Sequence, residues 1–468
     1  MIGWAGRDTP HGGPRSAALD TADAAGEVPW VPISRCSTGR LIPLALLCVA
    51  ACSPSERTQR GGGVPDERVV IRVWAHSGQD AERRVLQAQA GRFDRAHPEA
   101  RVELTLIPEG SYHDQVQASA LAGDLPDVLE LDGPFVAAYA WQGHLRPLDA
   151  IVPDTLVAEL LPSVVEQGTY QGRLWALGAY DSGLGLFARR SALRQVGARL
   201  PTAPHEAWTA EELEGILAAL AERDDDGAPL DLHLNYRGEW YTYAFLPALR
   251  SAGGGLMGHE EIGASGILDG PPSVLALSRL QSWIERGWVD PNIDDAAFVE
   301  GRAAISWSGH WDFRRYHARW GDDVVALPLP DFGDGMRTGQ GSWVWAVTRA
   351  AADPARAADW IRFVLSREEI AAMTDANAAV PARPRVAETS ALYGPDGPLR
   401  PLLDALEGGW AVPRPRTPAY PFATSAFQDL MEDVRNGEDV AAAARVAARL
   451  VDREIEDNRG YPPVAVTP

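Results

Sequence analysis

Lysine is absent from this 468-residue chain, so all 43 basic residues are arginine. That excludes a Schiff-base lysine and a P-loop lysine, and with them the usual nucleoside-triphosphate chemistry. Cysteine is scarce: Cys36, Cys48 and Cys52 all lie near the start. The chain beyond them can form neither an internal disulfide nor a cysteine-ligated metal site. Positive charge is in deficit, with a formal net charge of −21. Bulk nucleic acid is therefore a disfavoured partner, because phosphate backbones need basic patches. There is no internal repeat and no His-x-x-x-His or Glu-x-x-His cluster, so neither a metal nor a cofactor is expected. What is plentiful is tryptophan, with 16 residues, and the length suits two or three domains.

The start of the chain reads as an address. Arg35 and Arg40 precede the apolar run Leu41–Ala51, which as a helix would span about 16 Å against a bilayer core of about 30 Å. A positive flank, a short apolar stretch and small residues at its end make a secretory signal. The run closes Val49-Ala50-Ala51-Cys52, similar to a bacterial lipobox, in which the cysteine is lipidated and becomes the mature N-terminus. Residues 1–51 are thus expected to be a leader and signal peptide. Met1–Trp30, with Asp8, Asp20, Asp23 and Glu27, fits no signal peptide, so a start downstream near Val31 is expected. Residues 52–67 read as a polar, glycine-rich tether.

Beyond the tether, β-rich and helical patterns alternate. Strands are expected at Val69–Trp74, Val102–Ile107 and Asp127–Leu131, with helices from Asp80 to about His97, at Tyr112–Ala122 and at Phe135–Gln142. Alternation of this kind implies parallel pairing through right-handed crossovers, the plan of an α/β lobe. Further strands are expected at Leu174–Tyr180, Leu184–Phe187 and Arg302–Trp307. Further helices are expected at Glu211–Ala221, Val274–Arg286, Ala357–Leu365 and Ala441–Ile455. Asp224-Asp225-Asp226-Gly227 lacks the ligand spacing of a calcium loop and reads as a helix-exit turn. Residues 393–401 and 411–421 read as loops.

Several local signatures recur in one order. They include Phe93-Asp-Arg-Ala-His-Pro-Glu-Ala-Arg-Val-Glu103, Ala120-Leu-Ala-Gly-Asp-Leu-Pro-Asp-Val-Leu129 and Tyr170-Gln-Gly-Arg-Leu-Trp-Ala-Leu177. Gly287-Trp-Val-Asp-Pro-Asn292, Phe298-Val-Glu-Gly-Arg-Ala-Ala-Ile305 with Gly309-His-Trp311, and Arg414-Pro-Arg-Thr-Pro-Ala-Tyr420 follow. Over about residues 68–468 the chain resembles extracellular solute-binding proteins of the sugar-importer type. One departure, Leu200–Trp208, blurs the usual Pro-x-Thr-Trp start of a helix. The resemblance implies a periplasmic-binding-protein-like fold: two α/β lobes joined by crossover hinge strands, with a central ligand cleft. The first lobe would be 68–180 plus 326–383 and the second 184–325 plus 384–468. Tyr180-Asp181-Ser182-Gly183 would be one hinge, with glycine free to bend.

In open parallel sheets ligands bind beyond the C-terminal strand ends. That places His76 and Ser77 after the first strand, and Glu130 and Asp132 at the end of the third. Sugars present hydroxyls to carboxylates and C–H faces to aromatic rings. Further candidates are Tyr180, Asp181 and Glu239, the rings of Trp240, Tyr241, Trp307, Trp311, Trp343 and Trp345, and Arg383 as a donor. Trp74, Trp283, Trp288 and Trp360 read as core.

The resemblance implies a lipid-anchored, monomeric sugar-binding subunit in the periplasm or at the cell surface. Its partners would be a small carbohydrate and the membrane permease of an ATP-binding-cassette importer, and it would not be an enzyme. Two other readings stay open on the sequence. A cell-surface glycoside hydrolase would need two carboxylates about 5–10 Å apart across a sugar, and no local motif supports one. A sensory binding protein would hand its closed form to a receptor instead.

Overall fold

The computed structural model describes residues 68–223, 227–258 and 262–463. The expected leader, Cys52, the tether and Asp224–Asp226 lie outside the described residues.

The strands, in chain order, are β1 (Val69–Ser77), β2 (Ala100–Pro108), β3 (Val128–Asp132), β4 (Thr169–Tyr170) and β5 (Arg173–Leu174). Next come β6 (Ala176–Leu177), β7 (Tyr180–Asp181), β8 (Leu184–Arg189), β9 (Leu230–Asp231) and β10 (Ile305–Gly309). The last are β11 (Val324–Leu327), β12 (Thr338–Gln340), β13 (Trp343–Val347), β14 (Val380–Pro381) and β15 (Ala411–Pro413). They build two lobes. The first holds a five-stranded sheet in the order β2-β1-β3-β13-β6, and the second a four-stranded sheet in the order β11-β8-β10-β9.

The first sheet begins as its sequence demands. β1 alternates, burying Ile71 and Val73 while Val70, Arg72 and Trp74 point the other way. It pairs in parallel with β2 on one side and β3 on the other. The helix Asp80–Ala96 carries Leu86, Gln89 and Phe93 on one buried face and packs them over the sheet. β13 then enters antiparallel to β3, with Trp343 opposite Asp132 and Trp345 opposite Glu130. The core on one face includes Val73, Phe93, Trp345 and Trp360, and on the other Tyr112, Leu129, Leu131 and Val344.

In the second lobe β8 runs antiparallel to both β10 and β11, while β9 and β10 are parallel. Helix starts are fixed chemically: the Thr209 hydroxyl accepts from the Glu212 N–H at 3.1 Å, and Asp439 accepts from the Ala442 N–H at 2.6 Å. The core there gathers Leu217, Tyr241, Phe245, Trp283, Trp307 and Leu430. The second sheet takes in all of Val324–Leu327, and the helix Arg400–Glu407 sets Leu402 beside Gly183 and Gly185 at the start of β8.

Two short ladders lie along the crossings between lobes. β7 pairs with β14, and β12 pairs with β15. Thr338 locks onto the start of β8, its hydroxyl accepting from the Leu184 N–H at 2.9 Å and donating to the Leu184 carbonyl at 2.8 Å.

The strand expected over Leu174–Tyr180 is broken into three. Gly178 bends the chain where a Cβ would stand 3.1 Å from the Trp343 carbonyl, and the segment changes partner from β4 to β13 to β14. The expected strand Arg302–Trp307 starts at Ile305 because Gly301 turns at φ +87° and Arg302 is held by Asp290, Asp294 and Glu300. Residues 411–421, read as a loop, contribute β15 and the start of the helix Tyr420–Arg435.

Candidate functional site

The C-terminal ends of β1 and β3 bring His76, Glu130 and Asp132 side by side in the first lobe. The His76 backbone N–H donates to Glu130 Oε2 at 3.0 Å, and its ring Nδ1 lies 2.8 Å from the same oxygen. Nε2 lies 3.6 Å from Glu82, whose carboxylate also accepts from the Tyr180 hydroxyl at 3.0 Å. Burial alone would push the His76 pKa down, but the Glu130 and Glu82 carboxylates and the Glu130 hydrogen bond outweigh it and raise it to about 9. Both ring nitrogens thus face carboxylates, an arrangement that favours the charged form of the ring.

Its ring lies flat on Trp343, with centroids 3.9 Å apart and planes 6° from parallel. The indole's neighbours are His113, offset and parallel at 5.9 Å, and Tyr112, edge-on at 5.2 Å. Trp343, at the start of β13 opposite Asp132, thus has one of its faces covered by His76.

A second knot joins the lobes. Arg414, just past β15, forms a fork with Asp132: Nη1 donates to Oδ2 at 2.7 Å and Nη2 to Oδ1 at 2.6 Å. Nη1 also donates to Glu239 Oε1 at 2.6 Å. Glu239 opens the second-lobe helix Glu239–Ser251, where it accepts from Tyr420 and, at 2.8 Å, from Thr424. Burial raises the pKa of Glu239, and Arg414 opposes the shift. The guanidinium sits 4.7 Å over the Tyr243 ring. Tyr243 meets the Ser182 hydroxyl at 2.8 Å, and Ser182 donates to the Gly341 carbonyl at 2.6 Å. Asp181 accepts from the backbone N–H groups of Ser182 and Gly341 at 2.8 and 3.0 Å, and burial pushes its carboxyl up.

Gly341 must be glycine. Its φ is +109°, and a Cβ would lie 3.2 Å from Arg414 Nη2. Beside this knot is a cavity of about 10 Å³ lined by Gly133, Gln167, Gln340, Gly341, Arg414 and Arg416. Two further hydrogen bonds run between segments distant in sequence. Gln79 donates to the Trp311 carbonyl at 2.7 Å, and Arg314 donates to the Asp375 carbonyl at 2.7 Å.

The second lobe's wall is aromatic. Trp311, at the start of the helix His310–Trp320, meets Trp240 edge-to-face at 5.9 Å, and Tyr236 packs on Trp240 at 5.6 Å. Behind them a buried polar network ties the wall down. His233 faces Asp231, Asp295 and Asp312, and Arg315 bonds both Asp295 and Asp312.

The remaining sequence candidates lie elsewhere. Tyr241 is fully buried, with its hydroxyl on the Leu234 carbonyl at 2.8 Å. Trp307 is fully buried against Phe245, and Trp345 packs edge-on to Trp360 at 5.8 Å. Arg383 donates to the Leu365 carbonyl at 2.7 Å and to Glu159. Ser77 ends β1, half-buried. Sequence reasoning did not single out Glu82, His113, Tyr243, Arg414, Tyr420 or Thr424. One signal was present: Glu82 lies on the stripe that Leu86 and Phe93 define, and a carboxylate on a buried face needs a partner. Among the described residues no group of three or more His, Cys, Asp or Glu could hold a metal, and no helix is long and apolar enough to cross a membrane.

Residues 77–371, well over half of the chain, match the family described as bacterial extracellular solute-binding protein. A maltotriose-binding protein of Pyrococcus abyssi is 23% identical over 265 residues, which is 55% of this chain and 53% of the relative. A lipoprotein of Streptomyces antibioticus, named for the oleD 5′ region, is 25% identical over 179 residues, 38% of each chain. The chain thus spans about half or less of the length of these curated relatives. Among solved structures, the GacH receptor of Streptomyces glaucescens, solved free and with acarbose, superposes with a TM-score of 0.72 at 22% identity, covering 84% of this chain and 100% of that one. The sugar-binding protein MalE of Xanthomonas citri gives 0.69 at 20% identity, covering 84% and 98%. At these identities the likeness is one of fold.

Proposed function

This chain belongs to the bacterial extracellular solute-binding protein family, a family of binding proteins and not of enzymes, and on that footing we propose that it captures a carbohydrate between its lobes. The bound form would then be delivered to the permease of an ATP-binding-cassette importer. One observation carries the reading: Arg414 joins Asp132 of one lobe to Glu239 of the other and lies over Tyr243, whose ring is 6.1 Å from Trp311 of the aromatic wall, while His76 and Glu130 pair at the neighbouring strand ends. Polyhydroxylated ligands need that mixture, because each hydroxyl both donates and accepts while C–H faces seek rings. The names of relatives support the class, one binding maltotriose and another, of Pseudomonas aeruginosa, mannitol. Attachment at the membrane would use a lipid on Cys52, a reading supported by the Val49-Ala50-Ala51-Cys52 run and by the relative named as a lipoprotein.

The test is a thermal-shift panel of glucose, maltose, maltotriose, trehalose and mannitol. A binder at one hundred times its Kd gains about 2.7 kcal/mol of stability, and its melting point rises. The expected outcome is a saturable rise with one sugar and no product on prolonged incubation. A flat panel at 10 mM (roughly one hundred times a Kd of 0.1 mM) would sink the carbohydrate reading.

A further inference from the structure

We propose that Arg414 is the residue that sets the balance between open and closed lobes, acting as a shared counter-ion for one carboxylate from each side. Asp132 ends β3 of the first lobe and Glu239 opens a helix of the second, and both are bonded to the same guanidinium. The cation belongs to neither sheet. It follows β15, which pairs with β12, lies over Tyr243, and through Tyr243 and Ser182 reaches Asp181–Gly183 and Gly341. Arg414 is 6% exposed, so its charge is screened by protein and not by water.

Removal of that charge has a defined consequence. Asp132 and Glu239 would face one another with no cation between them, an uncompensated buried arrangement. It is relieved either by proton uptake or by parting of the lobes. The other groups facing the knot are His113 and Glu109 near Asp132, Tyr420 and Thr424 on Glu239, and Asp181 near Arg414. None of them is a cation bonded to both carboxylates. Arg414 is therefore a positioning residue, and sugar capture would draw on a closure that the protein has already part-built.

The inference rests on the two-lobe binding reading, and its readout is taken without sugar. A sugar panel that fails therefore leaves it separately testable. The full chain carrying Cys52→Ser, which stays unlipidated, is measured by small-angle scattering at pH 7.5 and pH 5. Arg414→Met, similar in length and uncharged, is expected to raise the radius of gyration at pH 7.5 and to return towards the parent value at pH 5. Adding Asp132→Asn and Glu239→Gln to Arg414→Met should restore the compact form at pH 7.5. An Arg414→Met chain as compact as its parent at pH 7.5 overturns the proposal. So does one that stays expanded after both carboxylates are neutralised, because packing and not charge would then hold the lobes. If Arg414→Met does not fold, Arg414→Gln carries the test: glutamine is uncharged but polar, so expansion at pH 7.5 is expected and a chain as compact as its parent refutes.

Discussion

Replacing His76 by glutamine tests whether the first-lobe wall is held by a charged imidazole. His76 has a folded pKa of about 9, because Glu130 and Glu82 outweigh the burial that acts against its charge. The unfolded value is about 6.5. A raised folded pKa contributes stability that is complete below the unfolded value and disappears as pH climbs through the folded one. Linkage across that gap gives about 3 kcal/mol at pH 6, about 2 kcal/mol at pH 7.5 and less than about 0.5 kcal/mol at pH 9. Glutamine can still donate towards Glu130 but cannot titrate. It also loses part of the stacking on Trp343, a cost that does not vary with pH. Urea unfolding of parent and His76→Gln at pH 6, 7.5, 9 and 10 should give a stability gap that shrinks by about 3 kcal/mol across the series. Taking the difference cancels groups common to both chains, including the buried tyrosines. A gap that is constant with pH would mean that His76 is neutral in the fold and that the ring is held by stacking alone.

Other substitutions separate the cleft from the core. Trp311→Ala should weaken binding of the sugar found in the thermal-shift panel by tenfold or more, a change of about 1.4 kcal/mol, while the far-ultraviolet dichroism stays that of the parent. Trp307→Ala should instead cost about 3–5 kcal/mol in chemical unfolding, since its indole is fully buried. Asp439→Ala removes the cap on the helix Val440–Asp457 and should cost about 1 kcal/mol, read from the same unfolding curves. Cys52→Ser should move the protein from the membrane fraction to the soluble fraction of a producing cell. Membrane retention of that variant would remove the lipid anchor.

The fold was legible where one physical period dominated a segment. β1 and the helix Asp80–Ala96 follow their apolar spacing to within a few residues of expectation. The helix Glu239–Ser251 escaped because it has no polar face to mark a period: residues 240–249 are all buried. The same burial explains why Tyr241 looked like a ring for a ligand. A cluster of aromatic residues beside an acid reads alike whether the protein surrounds it or a sugar does. The helix His310–Trp320 was hidden for the opposite reason. Its charged residues break up the apolar stripe that would mark a helix, yet Asp312 and Arg315 are tied into the His233 network.

The site divides along a different line. His76, Glu130 and Asp132 were legible because strand ends in a parallel sheet are fixed by local pattern, and ligands collect there. Arg414 was not, because its meaning comes from partners 282 and 175 residues away in sequence, joined by a three-dimensional path that no spacing encodes. The two cases meet in a single arrangement. Asp132 is placed by its strand and Glu239 by its helix, each needing its own lobe alone. Arg414, on the segment after β15, supplies the charge that both are bonded to. Local patterning therefore reveals the walls of such a cleft, while the residue joining them is set by the topology of the crossings.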